Sequence, residues 1–136
     1  CGRGGQMHAD VLADIVCFLK DEMSGWNDLY VACTDRLAYD VAIYLNAGCF
    51  EDDDTLNVTC ARRLLEGYES IRPLSADERN AMPVLAAGAA IRFALTRLYD
   101  WVNTPAGALV TRKDPLAYVK RLRFHLASPT FGACGV

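Results

Sequence analysis

Three side chains near the start of the chain stand at spacings that chemistry can use: His8, Asp10 and Asp28. His8-x-Asp10 precedes the apolar run IVCFL, and Asp28 comes after the polar, Gly-containing stretch KDEMSG. An aspartate on a loop, then a hairpin, then a second aspartate on the returning strand would set two carboxylates on one side of a cleft. Phosphoryl transfer uses such a pair. One carboxylate receives the acceptor hydroxyl's proton, and the other holds the magnesium that bridges the phosphates. Each residue also has a purely structural use, His8 in a turn, Asp10 as a cap and Asp28 bonded locally at a strand end.

The elements that would position these groups follow from periodicity. IVCFL and WNDLYV, on either side of KDEMSG, read as the two arms of a β-hairpin. From Thr34 the period changes to three and four residues, through Leu37, Ala38, Val41, Ala42, Tyr44 and Leu45, which predicts a helix capped by Thr34 or Asp35 and ending near Gly48. The acidic run EDDDT is expected to be a solvated loop, since it lacks the glycine of a calcium-binding EF-hand. A second helix is predicted from Asn57 to Ile71, with Val58, Ala61, Leu64, Leu65 and Tyr68 on one face and Pro73 beyond its end. Ser75-Ala-Asp-Glu78 is a capping box. Pro83 is expected to kink or split the helix that the box opens, and Val84 to Val102 reads as a central, largely buried helix. Asp114-Pro115 opens a last helix that runs to about Leu126, and the tail SPTFGACGV reads as frayed. The fold class is thus α+β and mainly α, a short hairpin followed by about five helices.

Composition narrows the function classes. The 136 residues are 52% hydrophobic and carry a net charge of −3, so they can form a core in one domain, 1–136, and offer no basic stripe for nucleic acid. No continuous apolar run reaches the ~18 residues that suggest a membrane span, and no signal peptide shows. The cysteines at 1, 17, 33, 49, 60 and 134 form no C-x-x-C pair, and reduced structural thiols in a cytoplasmic protein are expected. The chain opens on Cys1, and nothing in its first seven residues resembles the edge of a folded unit, so it is expected to be a fragment or a truncated product.

Beyond the three chemical residues, "ACTDRLAYDVAIYLNAGCFE", "LLEGYESIRPLS", "RFALTRLYDWVNTPAGALV" and "KDPLAYVKRLRFH" resemble, in order and spacing, segments of the bacterial homoserine kinases related to aminoglycoside phosphotransferases and choline kinases. The resemblance covers His8 to His125. It implies the C-terminal lobe of a protein-kinase-like fold, with Mg and ATP as cofactors and L-homoserine as the acceptor, in threonine biosynthesis. It implies Asp10 as the catalytic aspartate of an H-x-D-x-x-x-x-N loop, His8 as the residue bracing that loop, Asp28 as a magnesium ligand and Asp40 as support of the loop from behind. Arg92, Arg97 and Asp100 fall in a stretch similar to the family's helical wall near the acceptor pocket. Arg97 and Asp100, three apart on a helix, could equally pair with each other.

The departures cluster. Ile15 stands where the loop asparagine of the family would bind a second magnesium, and isoleucine has no oxygen to offer a hard cation. Trp26, Asn27 and Leu29 replace the usual residues around Asp28, and Asn27 would place an amide in a buried strand. Gly48 stands where the family tends to have tryptophan. The family's nucleotide-binding N-terminal lobe has no counterpart ahead of His8, so a chain inactive or impaired on its own is expected. The alternative is a non-catalytic truncated domain that acts by binding a small molecule or protein, or by forming a homodimer through an exposed cleft face.

Overall fold

The computed structural model describes residues 2–105, 107–109, 111–128, 130 and 132. Four short strands come first, β1 (Gly4–Met7), β2 (Val16–Leu19), β3 (Glu22–Trp26) and β4 (Cys33–Arg36), followed by α1 (Ala38–Gly48), α2 (Val58–Ile71), α3 (Ala76–Asn103) and α4 (Leu116–Ala127). The mainly helical α+β reading holds, with four α-helices among the described residues rather than five.

The strands differ from expectation in two ways. β2 and β3 form the hairpin, but its turn is only Lys20-Asp21, between the paired Leu19 and Glu22. Both turn residues have positive φ, at 52° and 64°, the geometry that lets a two-residue turn follow the twist of its strands. The return arm is therefore Glu22–Trp26, and Leu29–Val31 is a 3₁₀ turn. The second difference is a pairing between distant segments. β1 runs antiparallel to β4, from Gly4 opposite Arg36 to Met7 opposite Cys33. Residues 3–7 are thus part of the fold, since the Arg3 carbonyl also accepts the Leu37 N–H at 3.1 Å. Thr34 and Asp35, expected to cap a helix, lie in this strand, and α1 starts after Leu37 without a side-chain cap.

α2 begins as read, with the Asn57 side chain accepting from the Cys60 N–H at 2.8 Å. The Ser75–Glu78 capping box is formed on both sides. The helix it opens runs unbroken for 28 residues through Pro83, so no split occurs. Pro83 falls in its third turn, where one N–H is forfeited while the buried stripe Met82, Ala86, Ala89, Ala90 and Phe93 continues at helical spacing. That stripe packs against α1 and α4. The helix is not buried all round, because Val84, Leu95, Tyr99 and Val102 are exposed. By length and composition alone α3 is apolar enough to cross a membrane, an exception to the absence of such a run in the sequence; only 33% of its apolar window is buried.

A buried polar knot ties three helices together. Asn46 of α1, fully buried, donates to the Ala42 carbonyl at 3.0 Å and the Ala86 carbonyl at 2.9 Å. Its Oδ1 lies 3.0 Å from Nε2 of His125 on α4, which donates to it. Every polar atom so used is satisfied, which makes the knot a specific fastener rather than a liability. Burial pushes the His125 pKa down to about 4, so the ring is neutral.

Cys49 closes α1 and is buried; burial and the neighbouring Cys60 thiol push its pKa up to about 12. Cys17, Cys33, Cys49 and Cys60 are free thiols, while Cys1, Cys134 and most of the tail lie outside the described residues. The acidic loop is exposed as expected at Glu51, Asp52 and Asp53, where Asp53 accepts from the Thr55 N–H and hydroxyl, but Asp54 is largely covered and pairs with Lys120 at 2.7 Å.

Gly48 has a packing explanation. A Cβ there would lie 2.7 Å from Cε1 of Tyr44, so the tyrosine ring takes the volume a larger residue at 48 would need. Gly48→Trp is therefore expected to cost about 1–3 kcal/mol by overpacking, and shortening the ring with Tyr44→Ala should recover most of that loss in denaturant titrations of the single and double variants.

Two buried groups, Glu78 and His125, make the fold sensitive to acid. Burial opposes the charge on Glu78, yet the Ser75 N–H, the Arg72 guanidinium and the Arg3 N–H outweigh it and hold its pKa at about 2, down from 4.5. Its contribution to stability is complete above 4.5 and is lost as the pH falls toward 2. His125, lowered from 6.5 to about 4, costs stability over the higher window, because there the unfolded chain takes up a proton that the folded one refuses. Glu78→Gln should lower stability at neutral pH and flatten the pH dependence below 4.5 while leaving the upper window in place, as followed by thermal denaturation across pH.

Candidate active site

The site is built around a turn that the backbone would not adopt unaided. Ala9 has φ of 64°, the left-handed region that costs a non-glycine residue free energy. The carboxylate of Asp40, in the first turn of α1, holds it there. Oδ2 accepts the His8 N–H and Oδ1 the Ala9 N–H, each at 2.8 Å. Charge-assisted bonds to two successive amides outweigh the strain of one residue. The turn sends the partly exposed Asp10 side chain outward, where Nη2 of Arg92 on α3 meets its Oδ1 at 3.3 Å. Arg92 also donates to the Ala9 carbonyl and lies over the Phe93 ring at 4.8 Å.

His8 reaches the other way. Its ring is buried, with Nε2 donating to the Asn27 carbonyl at 2.9 Å and Trp26 tilted against it at 5.9 Å. The Asn27 N–H donates to the Ile15 carbonyl at 2.9 Å. Asn27 is thus pinned at the open end of the hairpin between the loop and Ile15, and Asp28 follows it, exposed, with φ of 58°. Asp28 lies just past β3 rather than on the strand. The Asn27 amide is not buried, as the sequence suggested; it is exposed and donates to the Cys17 sulfur at 3.1 Å.

His8, Asp10, Asp40 and Arg92 therefore form one bonded cluster, to which Asp28 is joined through Asn27. Ile15 is buried, 7% exposed, and contributes only its backbone to this network. Arg97 and Asp100 stand apart from the cluster and do not pair with each other. Arg97 instead donates to the Asp114 carbonyl at 3.1 Å and stacks over Tyr118 at 4.4 Å. With Leu12, Thr96, Thr104 and Lys113 they line a cavity of about 420 Å³. A larger apolar groove of about 740 Å³ runs between the hairpin (Val16, Phe18, Met23, Trp26) and the helices (Tyr44, Tyr68).

Such a cluster suits proton transfer at Asp10. Arg92 fixes the carboxylate's orientation, and its partial exposure leaves an oxygen for a substrate hydroxyl. Among the described residues no three His, Cys, Asp or Glu side chains gather as a metal-binding set.

Comparison with known proteins bears on the same residues. The chain is homologous to homoserine kinases. It is 62% identical over 132 residues to a homoserine kinase of Gluconacetobacter diazotrophicus, covering 97% of the chain and 41% of that relative. It is 59% identical over 132 residues to a homoserine kinase of Granulibacter bethesdensis, again 41% of the relative. A homoserine kinase of Agrobacterium fabrum is 61% identical over 121 residues, which cover 89% of the chain and 38% of the relative. The chain thus spans about two fifths of the length of these homoserine kinases. No family model matches it.

Sequence reading missed Tyr118 and Arg121. Tyr118, Arg121, Leu122 and His125 recur at three- and four-residue steps along α4, and that spacing was the available signal for an inward-facing arginine.

Replacing Asp40 by asparagine keeps the shape but supplies only one acceptor oxygen, leaving one of two N–H groups unpaired. A loss of about 1–3 kcal/mol is expected, with faster hydrogen exchange at the His8 and Ala9 amides than elsewhere in the chain.

Proposed function

We propose that these residues are the catalytic-loop and acceptor part of a homoserine kinase, an enzyme that moves the γ-phosphoryl group of ATP to the hydroxyl of L-homoserine. The observation that carries the proposal is the Asp10 cluster. Its carboxylate is presented by a turn locked from behind by Asp40 and from the side by Arg92, in a chain about 60% identical to homoserine kinases along nearly its whole length. Asp10 orients the acceptor hydroxyl and takes its proton as the oxygen attacks phosphorus. His8 braces the loop and, through Asn27, sets the position of Asp28.

Asp28 offers the hard oxygen that magnesium takes, and the ion when bound would neutralise charge on the nucleotide phosphates. Position 15 does not fit a second ion. The Ile15 side chain is apolar and buried, and its one oxygen, the backbone carbonyl, already accepts from Asn27. Since the chain spans about 41% of its longer relatives, we propose that these residues alone turn over slowly or not at all. A second reading, association through an apolar face, is supported by the exposed Phe18, Met23, Trp26 and Leu29 that line the 740 Å³ groove.

A coupled ADP assay with L-homoserine and Mg-ATP tests the first reading. Any turnover should fall about 10²–10⁴-fold in Asp10→Asn, the usual worth of a general base, and Ile15→Asn should raise the apparent magnesium affinity. Activity untouched by Asp10→Asn would rule the assignment out. A concentration-dependent dimer in sedimentation, with no ligand response in calorimetry, would favour the second.

A further inference from the structure

Helix α3 is apolar on two faces, and only one of them is covered by the described residues. Met82, Ala86, Ala89, Ala90 and Phe93 pack inward. On the opposite side Val84, Ile91, Leu95, Leu98, Tyr99 and Val102 are between 45% and 74% exposed, and Gly88 lies exposed in the same line. Between Arg79 and Asp100 no exposed residue of α3 is charged. A helix that is apolar all round is ordinarily covered all round, so this second face calls for a partner.

The spacing says which partner. Positions 84, 88, 91, 95, 98 and 102 follow one another at steps of four, three, four, three and four, the seam of a coiled coil. That order reads the same in both directions, so a second copy laid antiparallel meets it in register. Val84 then faces Val102, Ile91 faces Leu95 and Gly88 faces Leu98, each pair formed twice across the two-fold axis. The third pair joins a socket to a knob. A Cβ at Gly88 would meet nothing within 4 Å, so the seam is open there, while Leu98 projects a large, half-exposed side chain. Within one chain these two stand about 15 Å apart along the helix, too far to meet. The exposed apolar side chains offer on the order of 700 Å² per protomer, close to the ~800 Å² that each partner gives to a standard interface.

Other occupants fit less well. Helices that lie on lipid flank their apolar face with exposed Lys or Arg, whereas the two cations of this stretch are engaged, Arg92 with Asp10 and Arg97 over Tyr118. The exposed charge near the C-terminal end of the seam is the carboxylate of Asp100. An unrelated helix could use the seam but would give no reason for its symmetric spacing.

We infer that the exposed face of α3 is a self-association surface, on which a second copy of the chain packs antiparallel in the register that seats Leu98 in the Gly88 socket. The face is on a different element from the hairpin groove, and the inference depends on neither reading of the site.

Sedimentation equilibrium tests it, with circular dichroism to establish that each variant is folded. Wild type is compared with Leu95→Glu, Gly88→Leu, Leu98→Ala, the double variant Gly88→Leu with Leu98→Ala, and Phe18→Glu as a control on the hairpin. Wild type should dimerise. Leu95→Glu puts a carboxylate at the centre of the seam and should weaken the dimer about a hundredfold or more. Gly88→Leu fills the socket without touching the core of the monomer. It and Leu98→Ala should each weaken the dimer about tenfold, and the double variant, in which knob and socket change places, should recover most of that loss. Phe18→Glu should leave the dimer unchanged. A monomer at every concentration would overturn the inference. So would a dimer lost in Phe18→Glu and kept in Leu95→Glu, which would put association on the hairpin. Additive losses in the double variant would overturn the antiparallel register. Binding of wild type to phosphatidylcholine–phosphatidylserine vesicles, lost in Leu95→Glu and without a dimer in solution, would give the face to lipid instead. The Asp10→Asn assay is independent of all these outcomes, so failure here leaves the kinase reading intact.

Discussion

The two hydrogen bonds from His8 and Ala9 to the Asp40 carboxylate are the constraint on which the rest of the site depends. They make a left-handed alanine tolerable, and the left-handed alanine is what turns Asp10 out toward Arg92 and His8 in toward Asn27. Because Asp40 lies in the first turn of α1, the loop takes its position from the helical body rather than from the small hairpin. A hairpin of two short strands has little stability of its own. What it contributes is an open end at which the Ile15 carbonyl meets the Asn27 N–H, and the short path to Asp28.

The helical body is in turn fixed by contacts that carry no chemistry. Asn46 joins α1, α3 and α4 through buried bonds, and the alanine stripe of α3 lets the helices approach closely. The same packing that buries Tyr118 brings Arg97 from α3 and Arg121 from α4 onto its ring. Scaffold and stacked arginine pair are therefore one piece of structure, and a change in helix packing would be felt at both.

The departures from the homoserine kinase pattern have different physical weights. At position 48 the loss of bulk is offset locally, since the Tyr44 ring fills the space. At position 15 the carbonyl holds Asn27, and the buried apolar side chain offers no oxygen. Folding is preserved at both positions.

Much of this was legible in residue order alone. The start of the second helix at Asn57, the box at Ser75–Glu78, the last helix behind Asp114-Pro115 and the mainly helical class follow from local chemistry, because a capping box or a helical stripe is decided within a few residues. So did the chemical character of His8, Asp10 and Asp28, which is a property of side-chain type and spacing. What only the tertiary structure decided were the non-local choices. β1 claims Thr34 and Asp35 for a strand although they read as caps, because pairing across some 30 residues competes with the local preference. Pro83 sits inside an unbroken helix because the buried stripe outweighs one forfeited bond. Arg97 turns from Asp100 to Tyr118 because a buried ring holds a half-buried guanidinium better than a solvated carboxylate does. Sequence determined which groups could do chemistry; packing among α1, α3 and α4 decided which of them meet, since contact between distant residues depends on how the helices bury their faces.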